Sequence, residues 1–314
     1  MPRDETRALL SPAACAAFVT AMPALFVLLW STGFIGARFV LPHSQPLTFL
    51  ALRFAITVAL FLPLVWLARA PWPARPALAG HAMVAGLLLH GGYLGGVFVA
   101  IEWGLPAGIA ALIAGLQPLL TAVAAGPLLG ERVSARQWLG LGLGLVGVVM
   151  VLGDKLAPRA GALFDGFGPE AVAAAAVAVL AITAGTLYQK RYCGGLDPRT
   201  GAVFQFGAAM LAMLAAVWVT GEDTTIAWTP GFVFGLVWLV VVLSIGAVTL
   251  LMLLIRLGEA ARVASLFYLV PPVTALLAWL LFDERLGVLA LAGMAVVAVG
   301  VLLASGWPRR RRPA

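Results

Sequence analysis

The chain has 314 residues, of which 62% are apolar and only 11% are charged. Soluble domains carry about 25% charged residues, so this composition excludes an ordinary water-soluble fold. The formal charge of +7 raises the question of a nucleic-acid partner. However, the basic residues lie between apolar runs and never alternate with aromatic residues in one patch. We therefore predict a membrane protein with lipid around it and no nucleic acid bound.

Apolar runs follow one another along the chain, each close to the 20 or so residues needed to cross a bilayer core about 30 Å thick. The first run, after Ala16, is long enough to span, so we predict a retained helix rather than a cleaved signal peptide. The predicted spans are 17–38, 47–68, 78–102, 105–129, 135–152, 170–192, 201–220, 230–254, 260–282 and 286–305. This pattern predicts an all-α integral membrane protein with ten transmembrane helices.

The loops between these spans differ in basic charge. With the N-terminus inside, the cytoplasmic segments hold fifteen Lys and Arg residues and the outer loops hold four, and Arg53 falls within a span. Because cytoplasmic loops of membrane proteins are enriched in Lys and Arg, we predict that both termini are cytoplasmic. The strong preference for Arg over Lys suggests a bacterial source, so the predicted location is a bacterial inner membrane.

Part of the sequence recurs at an offset of 153 residues. Leu116, Pro118, Thr121, Glu131, Arg132, Gly140 and Gly147 recur as Leu269, Pro271, Thr274, Glu284, Arg285, Gly293 and Gly300. Two Ala/Leu/Gly-rich helices can align by composition alone, but Pro, Glu, Arg and Gly all keep register here. We therefore predict two repeats, 17–152 and 170–305, between cytoplasmic tails 1–16 and 306–314. Five spans per repeat is an odd number, which predicts a 5+5 inverted-topology repeat.

Several short motifs resemble those of the drug/metabolite transporter superfamily, specifically its EamA-type ten-helix members. They are the segments 30–33, 52–54, 117–120 and 130–132 and the second-half segments at Pro271 and 283–285. The resemblance implies a 5+5 inverted repeat, a central cavity between spans 1–4 and 6–9, peripheral spans 5 and 10, and export of small metabolites or amino acids. Gln205 or Phe206 stands where the repeat would place a second Arg53, so any role of that arginine need not be duplicated.

Polar side chains inside a bilayer are costly and therefore informative. Arg53 is either a cationic contact for a substrate carboxylate or a brace between helices. His90 lies near the middle of span 3 and corresponds, with a shift of one residue, to Ser244 in span 8. Gln117 lies at the middle of span 4. Substrate is expected at the midplane, so we predict that these residues line its pathway, although a structural role for each stays open.

A second set of candidates is aromatic or lies beside a span end. Trp30, Tyr93, Tyr188 and Tyr268 are predicted to line the cavity together with Gln205, with ordinary packing as the alternative. Pro118, Pro271 and Pro272 are predicted to bend spans 4 and 9 during gating. Glu131 and Glu284 are predicted to serve the helix that follows each of them.

The glycines of span 5 spell a dinucleotide-binding pattern, but no strand precedes it, so we predict no such site. Instead, Gly140 and Gly144 are four residues apart, a spacing that predicts close helix packing, within the chain or between subunits.

The sequence thus predicts a secondary transporter, an exporter of small metabolites or amino acids with aromatic or apolar side chains, with neither cofactor nor catalytic residue. Import or exchange of phosphorylated or sugar-linked metabolites is the alternative within transport. A membrane-embedded enzyme or a scaffold is the alternative outside it, and monomer and homodimer stay open. No phosphate-binding loop is present, so an ion gradient or the substrate's own gradient would drive transport.

The predicted orientation is tested with a reporter fused to the C-terminus. A fluorescent reporter that folds only in the cytoplasm is expected to be active, and a phosphatase reporter that works only in the periplasm is expected to be inactive. The opposite pair of results would contradict the cytoplasmic placement of the C-terminus.

Overall fold

The structure, a computed structural model, describes residues 12–105, 110, 113–156, 167–258, 260–282 and 287–305. Within these residues every element of regular secondary structure is helical. A helix satisfies its own backbone hydrogen bonds, which is what a chain needs in a bilayer core without water. The predicted all-helical class is confirmed.

The helices have the following bounds. They are α1 (Pro12–Val40), α2 (Pro46–Leu67), α3 (Pro76–Glu102), α4 (Gln117–Leu129), α5 (Ala135–Leu156), α6 (Pro169–Tyr192), α7 (Pro198–Thr220), α8 (Pro230–Leu257), α9 (Ala260–Ser265, a 3-10 turn Leu266–Leu269, and Val270–Phe282) and α10 (Val288–Ser305). In the described part of the chain, eight helices are long and apolar enough to cross a membrane, and two apolar stretches, Ala17–Gly33 and Gln117–Leu129, are shorter. Residues 106–109 and 111–112 of predicted span 4 lie outside the described residues.

Proline marks where most helices begin. A proline occupies the first or second position of α2, α3, α4, α6, α7 and α8, where the missing N–H costs no hydrogen bond. Pro118 is one of these: a turn at Gly115–Leu116 precedes it, so the helical path of predicted span 4 is interrupted next to this proline. That Pro118 bends the span during gating stays a prediction. Pro271 and Pro272 similarly follow the 3-10 turn of α9. Both motifs therefore begin a helix after a break.

The two halves of the chain pack against each other helix by helix. The contacts join α2 to α7, α5 to α10, α4 to α9, α1 to α8 and α9, and α3 and α4 to α6. Counterparts lie five helices apart, so that α1 corresponds to α6 and α2 to α7. When each helix is exchanged with its counterpart, the pairs α2–α7, α5–α10 and α4–α9 map onto themselves. The contacts of α1 with α8 and α9 become those of α6 with α3 and α4. The packing therefore has the pairwise symmetry expected of two related repeats.

The counterparts α3 and α8 share an unusual feature. Each contains a π-helical segment, Leu87–Gly92 in α3 and Leu239–Ala247 in α8. A π turn closes its hydrogen bond one residue later than an α turn, so it accommodates an extra residue, and such turns are frequent at functional sites. His90 and Ser244 lie in these two segments, and the shift of one residue between them falls where the helices are widened.

Glycines allow α5 and α10 to touch through their backbones. A Cβ added at Gly147 would lie 2.6 Å from the backbone nitrogen of Val297 and 2.8 Å from the carbonyl oxygen of Gly293. A Cβ at Gly140 would lie 2.5 Å from the carbonyl oxygen of Gly300. These glycines of span 5 therefore serve packing within the chain, as small residues do between membrane helices.

This contact predicts that Gly147→Val separates α5 from α10. Because backbone atoms cannot move aside as a flexible side chain does, we expect a loss of about 1–3 kcal/mol of stability, the usual cost of overpacking. A lowered melting temperature of the protein in detergent would report it. Gly142→Val is the matched control on the same helix, since no atom lies within 4 Å of a Cβ there; equal melting temperatures for both variants would contradict the assignment.

Candidate functional site

Arg53 and Ser244 meet where the two halves join. Arg53 lies about two turns into α2 and is 5% exposed. Its Nε donates a hydrogen bond to the hydroxyl of Ser244 in the π segment of α8, at 3.0 Å. The start of α2 is itself held from the other half, because the Glu222 carboxylate accepts hydrogen bonds from the amides of Leu47 at 3.2 Å and Thr48 at 2.6 Å. A carboxylate is favourable at free helix N-terminal amides, so Glu222 helps position the helix that carries Arg53.

His90 lies against an aromatic ring from the other half. Its imidazole stacks on Phe206 of α7 with ring centroids 4.2 Å apart and an angle of 9° between the planes. The 153-residue offset of the repeat matches Phe206 with Arg53. The repeat could therefore have identified Phe206 as a candidate site residue. The His90 Nε2 is buried and has no hydrogen-bond partner among the described residues. The side chain of Gln205 lies beside this imidazole.

A cavity of about 110 Å³ surrounds these groups. Four predicted site residues line it, Trp30, Arg53, His90 and Tyr93, together with Phe206 and mainly aliphatic side chains. A largely apolar lining with few polar groups is typical of small-molecule sites, and the volume of this cavity is smaller than the roughly 300–1,000 Å³ of such sites. Its arrangement suits a solute with one polar end and an apolar body.

The cavity continues towards one end of the bundle, which we call the Glu102 end. A vestibule of about 470 Å³ lies there, lined by residues that include His43, Glu102 and Asp223. Leu41, Phe98 and Ile101 line both the cavity and the vestibule. The two spaces are therefore adjacent.

The other predicted site residues lie outside the cavity lining. Gln117 is buried in α4 and donates a hydrogen bond from Nε2 to the Thr121 hydroxyl at 3.2 Å. Tyr268 is buried against Gly144 of α5. The span that carries Tyr268 is apolar on all sides, so the sequence did not indicate which way this side chain points. Whether Gln117 or Tyr268 contacts substrate stays a prediction.

Tyr188 and Gln205 lie nearer the opposite end, which we call the Glu131 end. The Tyr188 hydroxyl is 2.8 Å from Nδ1 of His81. Gln205 donates a hydrogen bond from Nε2 to Oε1 of Gln189 at 2.8 Å. Gln205 also lines a separate pocket of about 110 Å³ with Cys193. In the part of the chain that is described, no residue lines both this pocket and the cavity.

Charged contacts tie the halves together at the Glu131 end. The Glu131 carboxylate is 2.6 Å from the Lys190 ammonium at the end of α6 and accepts a hydrogen bond from the amide of Ala260, at the start of α9, at 2.9 Å. Lys190 also donates to the carbonyl of Gly258, and Arg191 donates to the carbonyl of Leu128. The prediction that Glu131 serves the next helix in sequence was wrong, because its carboxylate binds α6 and α9 instead. These helices are far from Glu131 in the chain, so the sequence did not indicate the contact.

Comparison with known proteins places this architecture in context. The family model described as "EamA-like transporter family" matches twice, at residues 17–153 and 170–306. The two matches begin 153 residues apart, the offset of the internal repeat.

Curated relatives cover most of the chain. "Uncharacterized inner membrane transporter YedA" of Escherichia coli (strain K12) is 28% identical over 284 residues, 89% of each chain. "Probable amino-acid metabolite efflux pump" of Salmonella typhimurium is 27% identical over 290 residues, 89% of this chain and 92% of the relative. A solved crystal structure, 24% identical, superimposes with a TM-score of 0.75 over 92% of this chain and 96% of its own, which supports the fold.

The Glu131 contacts predict that Glu131→Gln exposes the pocket beside Cys193. Burial raises the pKa of the Cys193 thiol to about 11, so the wild-type thiol is expected to react slowly near pH 7. Loss of the Lys190 ion pair would shift an opening equilibrium by about 1–2 kcal/mol and speed alkylation of Cys193 by roughly 5- to 30-fold. The measurement is N-ethylmaleimide labelling in a Cys15→Ser background.

Glu170→Gln is the control for this labelling experiment. It removes the same charge from an exposed residue in the first turn of α6. An unchanged labelling rate in Glu131→Gln, or an equal increase in both variants, would show that the Glu131 contacts do not close this end.

Proposed function

Because the chain belongs to the EamA-like transporter family, we propose that it is a secondary transporter that exports small metabolites, including amino acids, by alternating access. In this proposal ten helices cross the bacterial inner membrane as a 5+5 inverted repeat, with repeats 17–152 and 170–305. Both termini and the Glu131 end are cytoplasmic, and the Glu102 end faces outward. The symmetric exchange of helix pairs between the halves supports the inverted arrangement.

The observation that carries this proposal is a cavity formed by both halves, adjacent to a vestibule at one end and separated from the pocket at the other. In alternating access, a site at the joint between repeats is exposed to one side at a time as the halves rock. The Glu131–Lys190 ion pair spans that joint at the closed end. Breaking it while closing the vestibule would give the cytoplasm access to the same cavity.

Export is favoured over import by the relatives, one of which carries the name of an amino-acid metabolite efflux pump. Exchange of phosphorylated or sugar-linked metabolites is the second candidate. A phosphate group is bound best by several cations and donors, whereas Arg53 is the one Lys or Arg in the described cavity lining. That lining therefore favours a solute with a single anionic group over a phosphorylated one.

The proposal is tested by flux of labelled metabolites, including an amino-acid panel, in cells and in proteoliposomes. We expect saturable flux that Val97→Trp reduces by about tenfold or more, because an indole in the cavity competes with substrate for the same space and overpacking costs of order 1–3 kcal/mol. Val84→Trp is the matched control, since Val84 lies on the same helix and is exposed on the bundle surface.

Each result has a defined meaning. Accumulation in cells lacking the protein, with loss on its expression, supports export; the reverse supports import. Covalent turnover of a probe would favour an enzyme. Absence of saturable flux across the whole panel would contradict transport and favour a scaffold.

A further inference from the structure

The charges around the cavity are not balanced. Arg53 lines the cavity and is 5% exposed, and among the described residues its guanidinium makes one hydrogen bond, from Nε to Ser244. Arginine has five N–H donors in a planar fork that fits a carboxylate. In the described chain no carboxylate forms an ion pair with Arg53. A buried charge without a counter-charge is unfavourable, so this site suits an anion.

No acidic residue in the described part of the chain lies in the middle of a helix. Of the described acidic residues, Glu102, Asp154 and Glu170 lie in the first or last turn of a helix, and Glu131, Asp197, Glu222 and Asp223 lie between helices. Ala110 and Ala114 line the cavity, and the sequence 106–112, PAGIAAL, contains no ionisable residue. Glu102 lines the vestibule and is absent from the cavity lining.

The other lining residues indicate which chemical groups the uncharged part of the ligand contains. Trp30, Tyr93 and Phe206 offer aromatic surface beside aliphatic side chains, which suits an apolar body. His90 also lines the cavity; its imidazole lies beside the Gln205 side chain, and its buried Nε2 makes no hydrogen bond among the described groups, so it can bind an oxygen next to the charged end. An ammonium group beside the carboxylate would meet the positive charge of Arg53 and no acidic side chain of the described lining.

We infer that this cavity selects an amphipathic organic monocarboxylate, such as a 2-oxo or 2-hydroxy acid with an apolar side chain, over the amino acid of the same skeleton. The inference rests on the proposed transport function and names the substrate class of its site. The carboxylate is bound by Arg53, and the apolar body lies against the aromatic side chains. Net charge, rather than side-chain shape, is then the main basis of selection.

The test compares 4-methyl-2-oxopentanoate with leucine, which has the same carbon skeleton and an ammonium in place of the oxo group. Flux of each labelled compound, and competition between them, is measured with the full chain in proteoliposomes. We expect the oxo acid to be preferred by about tenfold or more, because like charges placed together strongly disfavour the wrong ligand. 4-Methylpentanamide, which has no charge, is expected to compete weakly.

Substitutions assign the preference to Arg53. Arg53→Gln is expected to weaken competition by the oxo acid roughly 10- to 100-fold, the effect of losing a charged hydrogen bond, and to remove its advantage over leucine. Arg53→Lys keeps the charge and is expected to keep part of that advantage. Arg136→Gln, an exposed arginine in the first turn of α5, is the control that should leave flux unchanged.

The wild-type competition series decides the inference even if a variant fails to fold. Equal or better transport of leucine, or weak competition by the oxo acid, overturns it and leaves the proposed transporter intact. A preference that persists in folded Arg53→Gln also overturns it. Glu102→Gln then shows whether the vestibule carboxylate binds the ammonium. Absence of saturable flux of every probe overturns both this inference and the proposed function.

Discussion

The apolar core of this protein is shared between its two halves. The largest buried cluster joins Phe49, Phe54 and Phe61 of α2 to residues of α7 and α8, and the next joins α1 and α5 to α8, α9 and α10. The smaller described clusters also draw on both halves. Since lipid is as apolar as these side chains, close packing and polar contacts between helices must hold the halves together. The cavity, the vestibule and the Glu131–Lys190 ion pair all lie on that shared surface.

Polar contacts between the two halves occur at both ends of the shared surface and beside the cavity. At the Glu102 end, Glu222 binds the amides that begin α2, and at the Glu131 end a carboxylate and a lysine join α4 to α6 and α9. Between them, the Arg53–Ser244 hydrogen bond is the link beside the cavity. Buried side-chain atoms of His90 and Gln205 have no partners among the described residues. Gln117 and Tyr268 each have such an atom as well, and of these four residues only His90 lines the cavity, where a bound ligand would complete its hydrogen bonding.

The sequence predicted the helices and the repeat well but the direction of side chains poorly. Span bounds follow from the length of apolar runs and from proline at helix starts, and the repeat follows from Pro, Glu and Gly in register. Membrane helices are apolar all round, so no stripe indicates which face meets a neighbour. For that reason Tyr268 was predicted in the cavity although it packs on Gly144. His90 and Arg53, placed by depth alone, do line it, while the Glu131–Lys190 contact joins residues far apart in the chain.

The pair Arg53 and Phe206 has a consequence for how a ligand sits during transport. The repeat places these two residues at equivalent positions, and the structure puts both in the cavity wall, one as a cation and the other as an aromatic ring. The backbone is thus nearly symmetric while the cavity is chemically polarised. A ligand with a charged head and an apolar tail has a single favoured orientation between α2 and α7. The ligand would keep that orientation whether the cavity opens to one side of the membrane or to the other. The same side chains would then contact a chiral centre next to the charged head in both states.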